Sequence, residues 1–158
     1  MTIKGVSIEP GWELWYHAHF SLGDAIEVGS TLAGWRRVVP ITGGTFEGAR
    51  LSGKVLPGGS DWQCLRSDGA LEVEARYALE TRDGARIRVE NVGILRGPPD
   101  VMARLAEGEV PSPDQYYFRT VPHFETAHPD YAWLQRQIAI AVAEVQRGGV
   151  LLSVYGVR

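Results

Sequence analysis

The sequence has little of three features that mark whole classes of protein: cysteine, long apolar runs and clusters of basic residues. Cys64 is the only cysteine, which excludes an internal disulfide and a cysteine-based metal cluster. No apolar stretch reaches the roughly 18 residues of a membrane-spanning helix. Residues 1–5 do not open an apolar run of signal-peptide length. We therefore expect a cytoplasmic protein without a membrane partner.

Basic residues are scattered along the chain. There are 16 basic and 19 acidic residues, giving a formal net charge of −3, and no basic cluster is longer than Arg36-Arg37. Binding to a nucleic-acid backbone requires a concentrated basic face. The charge pattern therefore argues against a nucleic-acid partner.

Glycine and proline, in contrast, are abundant, with 19 and 9 residues in a chain of 158. Because they interrupt regular structure, they predict short elements joined by many turns and disfavour a bundle of long helices. The 44% of hydrophobic residues suffices for a core, and the length suits one domain spanning residues 1–158.

Alternating apolar and polar side chains predict strands. Residues 12–20 alternate in this way. The two faces are Trp12, Leu14, Tyr16, Ala18 and Phe20 on one side and Glu13, His17 and His19 on the other. Residues 35–41 and 50–56 flank the glycine-rich stretch 42–48, which we expect to form a tight turn, a bulge or a close approach between backbones.

The clearest element is a hairpin over residues 71–94, whose arms alternate around Arg82-Asp83-Gly84. A two-residue loop would set Leu79 opposite Arg88. A three-residue loop with Gly84 in the left-handed conformation sets apolar residues against apolar ones and acids against bases. We predict this second register, with the pairs Leu79–Ile87, Tyr77–Val89, Glu80–Arg86 and Arg76–Glu90.

The rest of the pattern completes an all-β chain. Pro98-Pro99 opens a helix predicted over Asp100 to Glu107, and residues 137–146 and 150–157 form a closing hairpin. About seven to nine strands with one short helix favour a barrel or a sandwich. We prefer a single closed antiparallel barrel, because closure leaves no free sheet edges.

Several short motifs, in this order, resemble those of a family of small, mostly bacterial proteins catalogued as domain of unknown function 3237 (the UPF 0311 group). The motifs cover nearly the whole chain. They are Ile41–Gly48, Leu56–Gln63, Ala75–Tyr77, Asn91–Gly93, Gly97–Pro99, Tyr116–Thr120, Phe124–Thr126 and Tyr131–Leu134. Gln135 departs from the Asn expected after Trp-Leu. The resemblance implies a single-domain β-barrel of the calycin or allene-oxide-cyclase kind and implies very little about a reaction.

Residues 115–135 are rich in aromatic and ionisable side chains. Arg119 and Tyr117 share one side of an extended strand, where an arginine beside a phenol suits a carboxylate, phenolate or enolate. The alternative is that Arg119 pairs with an acid at the barrel rim while the aromatics fill the core. His123 is a candidate acid/base group.

Asp61 follows three small turn residues and precedes Trp62. It is a candidate general base whose pKa the neighbouring indole would raise. The alternative is an Asx turn, in which the carboxylate accepts hydrogen bonds from the backbone. The expected catalytic set is Asp61, Tyr117, Arg119 and His123. The expected substrate-binding set is Tyr16, Trp62, Tyr77, Asn91, Tyr116, Phe124 and Trp133.

His17 and His19 lie two apart on a strand, a spacing that can hold a metal. No third ligand is evident, and Glu13 on the same face favours solvent exposure instead. No phosphate-binding loop and no serine or cysteine nucleophile motif is present. We expect no metal and no cofactor.

These features favour a barrel that binds a small hydrophobic or aromatic molecule. If the barrel is an enzyme, a positioned base, an oxyanion partner and an apolar cage suffice for cofactor-independent isomerisation, cyclisation or lyase chemistry on an aromatic or conjugated carbonyl compound. The alternatives are a non-catalytic ligand-binding barrel or an assembly protein. Because Ile138–Val142 is apolar on both faces, we expect a homo-oligomer, a dimer or larger.

Overall fold

A computed structural model describes residues 1–158 and contains ten strands. The strands are β1 (Trp12–Leu22), β2 (Ile26–Thr31), β3 (Gly34–Glu47), β4 (Ser52–Val55), β5 (Gly59–Leu65), β6 (Leu71–Thr81), β7 (Arg86–Arg96), β8 (Tyr117–Thr126), β9 (Ala139–Gln146) and β10 (Gly149–Val157). One α-helix, α1, spans Pro99–Ala106, and two 3-10 helices span Pro113–Gln115 and Pro129–Gln135. No helix has both the length and the apolar character needed to cross a membrane.

The strands close into an antiparallel barrel. β1 and β2 both pair with β3, one after the other along its length, and β4 and β5 both pair with β6 in the same way. Each of these two pairs of strands shares one position, so the ten strands occupy eight positions around the ring. Each position pairs with the next one in sequence, and β10 returns to pair with β1. The predicted closed all-β barrel is therefore confirmed, and its up-and-down order leaves the ring without an open edge.

The β6–β7 hairpin has the register that the sequence predicts. Leu79 pairs with Ile87 and Tyr77 with Val89. Gly84, with φ of 89°, occupies the left-handed position of the loop. The helix predicted from Asp100 begins one residue earlier, at Pro99, and ends at Ala106.

The glycine-rich stretch 42–48 does not form a turn, because β3 runs unbroken through it. A Cβ atom on Gly44 would collide with the carbonyl oxygen of His19, and Gly44 has φ of 146°. Of the three predicted alternatives, the structure shows two: a close approach between backbones at Gly44, and a bulge at Thr42, where the register of β3 against β1 shifts. Glycine lets β1 pack directly against β3 at this point.

The face predicted for β1 is interrupted by a register shift between Leu14 and Tyr16. Tyr16, Ala18 and Phe20 are buried as expected. Trp12 and Leu14, predicted on the same face, are instead exposed, and Trp15 is buried. A bulge places one extra residue in the strand, which reverses the faces of the residues before it.

One end of the barrel is packed with aromatic side chains. Trp15 lies at its centre, with ring centroids 5.9 Å from Phe124 and 5.0 Å from Trp133. Tyr16 packs edge-on against Phe46. α1 and the loop between β9 and β10 lie at the opposite end, where the barrel interior is open.

Candidate functional site

The open end leads into a cavity of about 1000 Å³ in the barrel lumen. Of its 39 lining residues, 21 are hydrophobic. Inward positions of β3, β5, β6 and β7 form much of the wall, because alternate residues of a strand face the same side. A predominantly apolar cavity with a small number of polar side chains is typical of a small-molecule site.

Three polar side chains form a chain of hydrogen bonds along the lumen wall. Arg37 Nε donates to Gln63 Oε1 at 2.6 Å, and Gln63 Nε2 donates to Asp61 Oδ2 at 2.8 Å. The other carboxylate oxygen, Asp61 Oδ1, accepts the backbone N–H of Glu74 at 2.9 Å. Arg37 on β3 and Gln63 on β5 are directly opposite each other in the sheet, which brings their side chains together. The network fixes the orientation of the Asp61 carboxylate.

Burial raises the pKa of Asp61 above its ordinary value. The hydrogen bonds from Gln63 and from the Glu74 backbone, together with the Arg37 charge, oppose this rise and do not cancel it. A carboxylate with a raised pKa binds a proton more strongly and is a better general base. The predicted base therefore lies in the cavity with the raised pKa that the sequence suggested. The cause is burial in the wall as a whole, since the neighbouring Trp62 points outward with 49% exposure.

Asp61 and Asn91 lie in one row across the sheet, separated by Ala75. Asp61 pairs with Ala75, and Ala75 pairs with Asn91. All three line the cavity. The methyl group of Ala75 leaves open space between the carboxylate and the amide.

Three buried polar side chains of the lumen wall have unpartnered atoms. Tyr77, Asn91 and Thr120 are 5%, 6% and 4% exposed, and the Tyr77 hydroxyl, Asn91 Oδ1 and Thr120 Oγ1 have no hydrogen-bond partner in the protein. Each unsatisfied buried group costs about 1–3 kcal/mol. Burial raises the pKa of Tyr77, and the Asp61 carboxylate adds to the rise, whereas the adjacent Asn91 amide opposes it. The phenol is therefore neutral at physiological pH.

The structure places Tyr117, Arg119 and His123 on the outer face of β8, away from Asp61. Their neighbours Phe118 and Thr120 line the lumen. Arg119 stacks on Tyr117, with its guanidinium carbon 5.0 Å from the ring centroid, and donates a hydrogen bond to the Phe118 carbonyl. The expected oxyanion pair is therefore not part of the cavity. Arg119 also has no ion pair with an acid, so this part of the alternative prediction is not met. Its other part is met, because Tyr116, Phe118 and Phe124 are buried in the core.

Five residues of the expected substrate-binding set also lie outside the cavity lining. Tyr16 and Phe124 belong to the packed end, and Trp62 is on the outer surface. Trp133 lies in a 3-10 helix, with the Arg50 guanidinium 3.6 Å from its ring centroid. The Tyr116 hydroxyl accepts the backbone N–H of Val145, which connects the residue just before β8 to β9. Tyr77 and Asn91 are the members of the set that line the cavity.

The sequence prediction missed Arg37, Gln63 and Thr120. Arg37 has the same strand parity as Val39 and Ile41, which would have placed it on the inward face. Gln63 follows Asp61 by two residues and so shares its face. Thr120 has the parity of Phe118, and a choice of that face for the lumen would have identified it.

The histidines of β1 face outward. His17 shares a hydrogen bond of 2.7 Å between its Nδ1 and Ser153 Oγ, and His19 is exposed. A separate group, Asp83, His128 and Asp130, places one ligand atom from each residue within 4.8 Å of the others at the opposite end from the lumen opening. Asp83 already accepts the Tyr131 hydroxyl at 2.8 Å, and His128 Nδ1 accepts the Asp130 backbone N–H. These contacts connect the β6–β7 loop to the 3-10 helix Pro129–Gln135, so the cluster has a structural role.

Residues 10–157 match the protein family described as "Protein of unknown function (DUF3237)". A UPF0311 protein of Rhodopseudomonas palustris is 43% identical over 136 residues, which are 86% of this chain and 89% of the relative. The crystal structure of that conserved protein of unknown function has a TM-score of 0.91 at 38% identity, covering 97% of this chain and 100% of the other.

Two further crystal structures have the same barrel. A β-barrel-like protein of Acinetobacter baumannii has a TM-score of 0.80 and 38% identity, covering 97% of this chain and 100% of the other. A protein of Penicillium herquei described as an enzyme has a TM-score of 0.74 and 20% identity, covering 99% of this chain and 100% of the other. At this low identity the likeness shows a shared fold alone.

Proposed function

The chain belongs to the DUF3237 family of proteins of unknown function, and we propose that it is a barrel that binds a small, mostly apolar molecule in its lumen. One observation carries the proposal: a cavity of about 1000 Å³ with a largely hydrophobic wall and a hydrogen-bonded carboxylate. Small-molecule sites are usually cavities of about 300–1,000 Å³ with this composition. An aromatic or conjugated carbonyl compound fits such a wall, because its ring buries apolar area and its oxygen takes a polar contact.

We further propose that Asp61 moves a proton on this ligand without a cofactor. The carboxylate accepts a proton from a carbon beside the carbonyl group and delivers it to the carbonyl oxygen, while the electrons of the C–H bond form the carbon–carbon double bond of the enol. Asp61 then moves the enol proton to another atom of the same molecule, so isomerisation or cyclisation needs no oxidant or reductant. The raised pKa and the fixed orientation of Asp61 support this role. The structure from Penicillium herquei, which has the same fold and is described as that of an enzyme, supports a catalytic role.

A thermal-shift screen against aromatic acids, enones and lactones tests the binding proposal. A ligand at 100 times its dissociation constant adds about 2.7 kcal/mol, which raises the midpoint of a domain this size by several degrees. The variant Ala75→Phe fills the lumen and should abolish the shift. Ala78→Phe is the matched control, because Ala78 lies on the same strand facing outward. Equal shifts for both variants and the wild type would contradict binding in the lumen.

The variant Asp61→Asn distinguishes an enzyme from a barrel that binds its ligand without catalysis. For an enzyme, we expect this variant to keep ligand binding and to slow turnover by about 10²–10⁴-fold. Turnover is followed by NMR as exchange of ligand hydrogen for solvent deuterium. Saturable binding without exchange in the wild type would instead favour a non-catalytic binding barrel.

We also propose a homo-oligomer and a cytoplasmic location. In β9, Ala139, Ala141 and Ala143 face the core, while Ile140 and Val142 are half-buried on the outer face. Ile138, just before the strand, is 72% exposed. A second copy covering this face would bury them. A strictly monomeric mass in solution would contradict the oligomer.

A further inference from the structure

We propose that Tyr77, Asn91 and Thr120 form a subsite for the uncharged oxygen of the ligand, binding it as a carbonyl and as the corresponding enol. The inference depends on the proposed function, because it assigns a position to the polar group of the molecule in the lumen. It gives these three side chains the role that the sequence predicted for Arg119 and Tyr117.

The sheet register sets Tyr77 and Thr120 on either side of Asn91 along the lumen wall. Ala75 pairs with Asn91, so Tyr77, two residues along β6, is a diagonal neighbour of Asn91. Gly93 pairs with Thr120, which makes Thr120 the diagonal neighbour of Asn91 on β8. Diagonal neighbours on one face of a sheet lie within reach of polar and aromatic side chains. All three side chains line the same cavity.

The unpartnered atoms indicate what the subsite binds. The Tyr77 hydroxyl, Asn91 Oδ1 and Thr120 Oγ1 are buried without a hydrogen-bond partner from the protein. Either hydroxyl group can donate to a carbonyl oxygen placed beside Asn91, and the Asn91 amide oxygen can accept from an enol O–H. One subsite therefore serves both forms that proton transfer by Asp61 would interconvert. Phe20 packs against the Tyr77 ring, with centroids 4.9 Å apart, and holds the phenol in place.

An anionic group fits this position poorly. The subsite contains no cationic side chain, and the nearby Asp61 carboxylate disfavours a second negative charge. Two arginines line the cavity. Arg37 is engaged with Gln63 on the other side of Asp61, and Arg147 lies in the loop between β9 and β10 at the open end. The ligand class is therefore an aromatic or conjugated ketone or aldehyde, with a carboxylate excluded from this end of the lumen.

Three matched probes test the subsite by titration calorimetry: 2-acetylnaphthalene, 2-isopropenylnaphthalene and 2-naphthoate. The first two have the same shape and differ in whether a carbonyl oxygen or a methylene group is present. For wild-type protein we expect the ketone to bind about tenfold more tightly than the alkene, the contribution of about one hydrogen bond. The carboxylate should bind more weakly than the ketone.

The variants Tyr77→Phe and Thr120→Val remove hydroxyl groups with little change in shape. Each should reduce the preference for the ketone over the alkene and leave the affinity for the alkene within a factor of about two. Tyr16→Phe is the control, since Tyr16 also has a buried unpartnered hydroxyl but does not line the cavity. Its preference for the ketone should match that of the wild type.

Equal binding of ketone and alkene to the wild type, or an unchanged preference in both subsite variants, would overturn the subsite and leave lumen binding intact. Tighter binding of the carboxylate than of the ketone would overturn it as well. Failure of all three probes to bind would contradict the proposed function itself, and the subsite with it.

Discussion

Gln63 donates a hydrogen bond to Asp61 at 2.8 Å from a position two residues further along the same strand. Both side chains face the lumen because strand residues of equal parity share a face. The amide of Gln63 is held from its other side by Arg37. The orientation and the proton affinity of the Asp61 carboxylate are therefore set by residues that need not touch a ligand.

The first prediction concerns the pKa of Asp61. Because the Gln63 hydrogen bond stabilises the ionised carboxylate, Gln63→Leu should raise the pKa of Asp61 further above its ordinary value. The shift can be measured by NMR titration of the ¹³C-labelled carboxyl group. Gln137→Leu is a matched control, because Gln137 donates to the Val157 carbonyl outside the lumen. A lower or unchanged pKa in Gln63→Leu would refute the assigned hydrogen bond.

A second prediction separates the arginine in the lumen from the one that the sequence favoured. Arg37→Met removes the charge that lowers the pKa of Asp61 and frees the Gln63 amide to turn. We expect about a tenfold loss of turnover, equivalent to about 1.4 kcal/mol in the barrier, because the lost orientation of the Asp61 carboxylate outweighs its higher proton affinity. Arg119→Met should leave turnover and ligand affinity unchanged, because Arg119 lies on the outer face.

Turnover of Arg37→Met and Arg119→Met should be measured side by side with the best ligand from the screen. The comparison shows which arginine belongs to the site. A loss in Arg119→Met equal to that in Arg37→Met would restore Arg119 to the site. The NMR titration of Asp61 in Arg37→Met gives a second readout, since removal of the positive charge should raise the pKa.

A third prediction concerns the contact that positions Thr120. A Cβ atom on Gly93 would collide with the Arg119 carbonyl oxygen and would lie 2.6 Å from the Thr120 Cα atom. Gly93→Ala must therefore push β8 away from β7, and we expect it to lower the free energy of unfolding by about 1–3 kcal/mol. In Gly11→Ala the nearest atoms are 3.9 Å away, so little change is expected. Urea unfolding of both variants tests the difference.

Local pattern was sufficient to predict much of the fold and part of the site. The β6–β7 register follows from pairing like residues across a turn, since only the three-residue loop sets apolar residues against apolar ones and acids against bases. Asp61 and Tyr77 were also placed correctly in the lumen. Tyr77 lies in a strand whose apolar face is unambiguous, so its inward direction is a local property.

The face of β8 could not be predicted in this way. Both faces of residues 116–124 carry aromatic side chains, so alternation does not show which one turns inward. Phe118 and Thr120 face the lumen because β8 pairs with β7 in the register that sets them beside Leu95 and Gly93. Arg119 then extends over the outer surface, where its charge remains in water. Which face of β8 turns toward the lumen therefore depends on contacts between strands that are distant in sequence.

The bulge in β1 shows the same limit. An alternating pattern assumes one residue per position, and the extra residue near Trp15 reverses the faces of Trp12 and Leu14. The large indole of Trp15 fills the packed end of the barrel against Phe124 and Trp133, and this burial stabilises the irregular backbone. No feature of residues 12–20 taken alone indicates the shift.

The last prediction concerns stability as a function of pH. Burial raises the pKa of Asp61 in the folded protein above the value of about 3.9 for an unfolded chain. Between these two pKa values the folded state binds more protons than the unfolded state, so rising pH destabilises the fold. The free energy of unfolding of the wild type minus that of Asp61→Asn should therefore fall from about pH 4 upward and become constant above the folded pKa.

Asp68 supplies a control of opposite sign. The Ala70 backbone N–H and the Arg66 side chain lower the pKa of Asp68 in the folded protein. Its contribution is therefore present above the unfolded pKa and is lost as the pH falls through the folded value. Urea unfolding from about pH 3 to about pH 8 covers the range in which these carboxyl groups titrate. The free energy of unfolding of the wild type minus that of Asp68→Asn should rise with pH, whereas the same difference for Asp61→Asn should fall. Parallel curves for the two variants would show that Asp61 is not a buried carboxylate with a raised pKa, and would remove the reason for assigning it the proton transfer.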